Sequence, residues 1–179
     1  MPTVVFNKVG WDGSDLLDSF RHKNIELVNF ISDKTPVFDN VFLDKDLDGR
    51  EYKAVNDSFV YSVDILRENI SKLEGCRYVH LAFWKNDEIP LASVKFLRDN
   101  LDAKISLDVE HLLFKNVESF LEFYINPELS GILADVDILQ VLRKHLSDIA
   151  DNLNIDYAGD ICGMAESLFR CSYEVVIVT

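Results

Sequence analysis

The sequence predicts an α/β or α+β protein: a single globular domain, 1–179, on a mixed β-sheet of about five to six strands with helices packed on it. Three observations carry this. Phe59, Val63, Leu66, Ile70 and Leu73 recur at steps of four and three, placing large apolar side chains on one stripe of a helix. Gly75 supplies the left-handed residue that commonly ends a helix. The run Tyr78-Val79-His80-Leu81-Ala82-Phe83-Trp84 then reads as a strand apolar on both faces, hence interior.

The remaining elements follow in order. Thr3 to Val9 reads as an opening strand, broken by Gly10 and by Asp12-Gly13. Ser14 or Asp15 can cap a helix carrying Leu16, Leu17 and Phe20. Leu27, Val28 and Ile31 extend its stripe, so a helix to Ile31 is preferred over a strand at Ile25–Ile31. Asn40–Leu43 and Glu51–Val55 flank an Asp48-Gly49 pair, the pattern of a hairpin. Asp57 or Ser58 can cap the helix that follows.

Pro90 suits the first position of a helix bearing Leu91, Val94, Leu97 and Leu101. Ala103, Ile105, Leu107 and Val109 alternate with Lys104, Ser106, Asp108 and Glu110, a strand with one wet face or at an edge. Val117, Phe120, Leu121 and Tyr124 form a short helical stripe. A longer stripe spans Leu139, Leu142, Leu146, Ile149 and Leu153, predicting a helix over 135–153. Cys162 to Phe169 reads as a short helix, and Ser172 to Val178 as a closing strand. Strand–helix–strand crossovers argue for parallel pairing, and the hairpin for an antiparallel pair.

Composition narrows the function classes. The chain of 179 residues is 48% hydrophobic, enough for a real core. Its 31 acidic against 18 basic residues give a net charge of −13. Such a surface repels nucleic-acid phosphate and anionic membranes, and favours a cationic protein partner. The three cysteines, Cys76, Cys162 and Cys171, include no CxxC pair. With no basic leader region and no long apolar run, a cytoplasmic protein with reduced thiols is expected.

No motif for catalysis stands out. No serine sits in G-x-S-x-G, and there is no P-loop. Seven glycines leave little for cradling phosphate. His22, His80, His111 and His145 are scattered, and His80, in mid-strand, is expected to be a buried neutral imidazole.

The sharpest local pattern is Asp44-Lys45-Asp46-Leu47-Asp48-Gly49. It resembles the opening half of an EF-hand or dockerin-type calcium loop, with Asp44, Asp46 and Asp48 at ligand places and Gly49 at the turn. The resemblance ends where a bidentate Glu is required, since that place holds Val55. An exposed acidic turn is the preferred reading, and no cofactor is expected.

The functional reading then rests on charge. Asp39, Asp44, Asp46, Asp48, Glu51 and Tyr52 cluster in the hairpin, and Asp108, Glu110, Glu118 and Glu122 follow around and beyond the alternating strand. Acids interleaved with rings form the kind of surface that meets a basic partner. The sequence is therefore read as a non-enzymatic binding module: an immunity- or antitoxin-type inhibitor occluding a basic, nuclease-like toxin. The alternatives are an enzyme with a metal- or His-dependent site at Asp44–Asp48 or His80, and a structural or regulatory subunit that homodimerises through the edge strand Ala103–Val109.

Overall fold

Most of the apolar runs pair with partners distant in sequence, and those partners decide which runs become strands. A computed structural model describes residues 3–20, 24–42, 50–55, 59–83, 86–117, 120–157, 160–170 and 173–179. The chain packs as two compact units, Met1–Phe59 with Asn116–Glu122, and Val60–Lys115 with Phe123–Thr179. The class is α/β, as the sequence pattern predicts, with parallel sheets flanked by helices.

In the first unit, β1 (Thr3–Gly10) runs parallel to β2 (Ile25–Ser32). The connection is a 3-10 helix over Trp11–Phe20, and the continuous helix preferred for this region gives way to the strand alternative at Ile25–Ile31. Eight in-register pairs from Thr3↔Ile25 to Gly10↔Ser32 give the run a sheet partner, and sheet pairing overrides its helical stripe. The expected hairpin is present as β3 (Val37–Phe42) antiparallel to β4 (Arg50–Val55).

Gly10, the last residue of β1, and Gly13 serve a close approach. A Cβ on Gly10 would lie 2.0 Å from the backbone nitrogen of Thr35, and one on Gly13 2.3 Å from its Oγ1. Into that space Thr35 ties the corner: Gly10 N–H donates to Thr35 Oγ1 at 3.0 Å, and Asp12 Oδ1 accepts from both Thr35 N–H and Oγ1 at 2.7 Å. Those bonds from Thr35 hold the Asp12 carboxyl below its ordinary pKa.

The second unit contains α1 (Val63–Asn69), β5 (Tyr78–Leu81), α2 (Leu91–Asn100), β6 (Lys104–Asp108) and the start of β7 (Phe114–Val117). The chain passes through β8 (Phe120–Phe123) and continues as α3 (Leu129–Ala134), β9 (Ile138–Val141), α4 (Leu146–Asn152), α5 (Ile161–Arg170) and β10 (Val175–Val178). Ser62 caps α1, its Oγ accepting from Ile65 N–H at 3.4 Å; the predicted caps Asp57 and Ser58 lie outside the described residues. Gly75 follows at φ +76°, the left-handed conformation expected of it.

Strands β10, β9, β6 and β5 form a four-stranded sheet in that order, all parallel. Each step from β5 to β10 moves the same way across the sheet. Right-handed crossovers then lay the helices on one face. The burial pattern agrees. Leu81, Leu107 and Leu139 share one register row and are buried, as are Ile105 and Val141 on the same face. Val94, Leu97, Ile132, Leu133, Ile149 and Leu168 of the helices are fully buried as well. The opposite face carries Tyr78, 64% exposed, and Ile177, 42% exposed.

This arrangement corrects four expectations. His80 is exposed on that second face, with Nδ1 3.1 Å from Ser106 Oγ, rather than a buried imidazole. The alternating strand is β6; it has the wet face but pairs with β5 and β9, so its edges are not free for the proposed dimer. The stripe over 135–153 divides into β9, a short 3-10 turn and α4, and the stripe at Val117–Tyr124 holds strand residues of β7 and β8.

At the amino edge of the sheet Asp137 is buried and fully engaged. Arg98 donates to its two oxygens at 2.7 and 3.1 Å, Ile105 N–H donates at 2.8 Å, and Lys104 Nζ lies 3.7 Å away. Lys104 is also paired with Glu174. Burial pushes the Asp137 pKa up, but the Arg98 and Ile105 hydrogen bonds and the nearby positive charges outweigh it and hold the carboxyl below its ordinary value.

Candidate functional site

In an open parallel sheet, ligands bind outside the carboxyl ends of the strands, where loops diverge and backbone groups are free. Here that edge lies beyond Leu81, Asp108, Val141 and Val178. Two strand ends meet there first. Gln140 Nε2 lies 3.4 Å from Asp108 Oδ2, and Val109 N–H donates to the Gln140 carbonyl at 3.0 Å. Glu110 N–H donates to Asp108 Oδ1 at 3.1 Å. Both carboxylate oxygens of Asp108 are thus engaged, which fixes the group's orientation.

After β9 the chain turns through Arg143-Lys144-His145. Arg143 N–H donates to the Thr179 carbonyl at 2.9 Å, and Thr179 N–H to that of Val141 at 3.1 Å, so the turn is laced to the end of β10. Arg143 and Lys144 are exposed, and Lys144 Nζ reaches Glu110 Oε1 only at 3.9 Å. A pair that long and that exposed is weak, and either cation can turn to an incoming anion.

His145 is 8% exposed. Its ring stacks on Phe123 at 5.4 Å and 15°, and meets Phe114 edge-on at 5.8 Å. Its Nδ1 lies 3.2 Å from Asp148 Oδ2, and its buried Nε2 has no partner among the described residues.

The structure describes only part of the predicted acidic surface. Asp44, Asp46, Asp48 and Glu118 lie outside the described residues, so the calcium-loop reading falls there too. Asp39, Glu51 and Tyr52 lie on β3 and β4, and the structure does not describe their side chains. Glu122, on β8, is exposed. Among the described residues Asp108 and Glu110 come together, half-buried at the sheet edge. Among the described residues no group of three or more His, Cys, Asp or Glu side chains could hold a metal ion, and no helix is long and apolar enough to cross a membrane.

Gln140, Arg143 and Lys144 are absent from the sequence-based site. A signal for them exists: a basic triplet one residue after the β-rich run Ile138-Leu139-Gln140-Val141. Reading that run as helix hid it, because only a strand delivers its carboxyl end to a sheet edge.

No family model and no curated protein matches this chain. Solved structures do. A sulfate complex of a pyrophosphate-dependent kinase in the ribokinase family superposes with a TM-score of 0.80 at 16% identity, covering 100% of this chain and 59% of that one. A pyrophosphate-dependent kinase of the same family, complexed with a pyrophosphate analog and myo-inositol, gives 0.78 at 15% identity over 100% and 58%. Ribokinase from Thermotoga maritima gives 0.66 at 15% identity over 98% and 52%. The fold is that of ribokinase-type kinases, and the chain spans a little over half the length of these proteins.

These likenesses overturn the inhibitor reading. The chain shares its fold with ribokinase-family kinases, and among the described residues Asp108 is engaged with Gln140 while Glu110 lies 3.9 Å from Lys144. The non-enzymatic class and the basic protein partner fall with it.

Proposed function

We propose that this chain belongs to a phosphoryl-transfer enzyme, one that moves a phosphoryl group from a small polyphosphate donor to a hydroxyl of a small polyhydroxylated acceptor. The observation that carries this reading is the carboxyl edge of the parallel sheet, where Asp108, Glu110, Gln140 and Lys144 converge from elements far apart in sequence, with Arg143 exposed on the same turn as Lys144. The likeness to pyrophosphate-dependent kinases supports it.

The chemistry suits the residues. Phosphoryl transfer asks little covalent work of a protein and depends on positioning and charge neutralisation. Arg143 and Lys144 supply that charge in a chain of net charge −13, which otherwise repels a polyanion. Asp108, with both oxygens engaged, is pre-oriented to fix an acceptor hydroxyl. The donor set also fits magnesium, which takes one or two carboxylates and fills its remaining places with phosphate and water. Asp108 and Glu110 would hold it, and the ion would neutralise charge on the transferred group.

The test is a calorimetric titration of pyrophosphate and of ATP, with and without magnesium, followed by transfer assays over a panel of polyols and sugars. Saturable binding of one donor is expected, weakened about tenfold by Arg143→Ala or Lys144→Ala, the cost of a charge-assisted contact. Absence of binding by both donors, together with absence of transfer, refutes the reading.

A further inference from the structure

We infer that His145 is a positioning residue for the cationic turn Arg143–Lys144, acting through its tie to Asp148; this rests on the phosphoryl-transfer reading above. The argument starts from an apparent misfit. Asp148 accepts at 3.2 Å, so Nδ1 carries the proton. In the neutral ring Nε2 is then the lone-pair nitrogen, and it is buried with no partner among the described residues. An unmet buried acceptor destabilises a fold.

Phenylalanine at this position would keep the stack on Phe123 and the edge contact with Phe114, and would remove the orphan. Stability alone therefore favours Phe over His. What His has and Phe lacks is Nδ1–H on Asp148. That bond fixes the rotation of the ring and the entry into α4, whose first residue is Leu146.

The position gives this consequence. His145 is the buried member of a three-residue turn whose other side chains, Arg143 and Lys144, are exposed. At its other end the turn is held through Arg143 N–H on the Thr179 carbonyl. Fixing the His145 ring therefore fixes where the two cations start from. Pre-positioned cations bind a phosphate more tightly than mobile ones, because less freedom is lost on binding.

The experiment compares pyrophosphate affinity and melting temperature for the wild type, His145→Phe and Asp148→Ala. Asp148 gives the comparison its sign. Removing a carboxylate near a cationic turn favours an anion by charge alone, so electrostatics predicts equal or tighter binding for Asp148→Ala. The positioning role predicts the opposite. Both variants should bind pyrophosphate about fivefold to tenfold more weakly, the net value of one ordinary hydrogen bond. His145→Phe should melt at or above the wild-type temperature, and in a transfer assay the loss should fall on KM for the donor rather than on kcat. Wild-type affinity in His145→Phe, or unchanged or tighter binding in Asp148→Ala, overturns the inference and leaves the phosphoryl-transfer reading standing. A wild type that binds neither pyrophosphate nor ATP and shows no transfer overturns both.

Discussion

Replacing Asp137 by alanine should be among the most damaging single changes in the second unit. Its side chain is 7% exposed and accepts from both terminal nitrogens of Arg98 and from Ile105 N–H. Ile105 is fully buried, so its amide would be left with neither partner nor solvent. An orphaned buried donor costs about 1–3 kcal/mol. Breaking a buried ion pair costs about 3–5 kcal/mol when the surviving charge stays buried. Arg98 is 41% exposed and can turn to water, so only a fraction of that second cost applies. The expected loss is about 3 kcal/mol, equivalent to a fall of roughly 6–12 °C in melting temperature for a chain of this size. The substitution Asp137→Asn keeps an acceptor for the Ile105 amide and should lose about half as much.

The pH dependence follows from the same contacts. The Asp137 pKa in the folded state lies below its unfolded value. Its contribution is therefore fully present above the ordinary carboxylate pKa of about 4, and is lost as pH falls through the lower folded value. The wild type should lose its advantage over Asp137→Asn on acidification below about pH 4. Thermal melts monitored by circular dichroism at neutral and acid pH read both effects. A melting temperature for Asp137→Ala within about 2 °C of wild type at neutral pH would refute the reasoning.

Three further outcomes are expected. Gly10→Ala should unfold the first unit or fail to express, because its Cβ would lie 2.0 Å from Thr35 N and 2.1 Å from Lys34 C, both backbone; Gly75→Ala meets open space and should cost only about 1–2 kcal/mol for its positive φ. Tyr61 has its pKa pushed up to about 12 by burial and by Glu88, so an ultraviolet titration should show a late-ionising step that Tyr61→Phe removes. Its contribution to stability is complete below about pH 10 and is lost as pH rises through about 12. Leu107→Ala, on the buried face of the central sheet, should cost about 2–5 kcal/mol in chemical denaturation, whereas Ile177→Lys on the opposite face should change stability by less than about 0.5 kcal/mol.

Elements whose signal is local were legible in the sequence. The α1 stripe with Gly75, the α2 stripe after Pro90, the β3–β4 hairpin and the alternation of β6 each specify themselves within about fifteen residues, because their periodicity and turn chemistry are short-range. The α/β class follows from them. Where a stripe was ambiguous, a distant partner decided. Ile25–Ser32 is a strand because β1 pairs along its whole length, and Ile138–Val141 because β6 and β10 flank it. A short apolar run fits either period, and nothing local arbitrates.

The site was beyond the sequence for the same reason. Asp108 meets Gln140, and Glu110 meets Lys144, only because β6 and β9 lie side by side and end at the same edge. Each alone is an ordinary polar residue without a motif. Residue chemistry read along the chain sets the local elements and the surplus of negative charge. Pairing between distant strands selects which few side chains stand together, because parallel strands are joined by long crossovers and their ends meet only once the sheet is built.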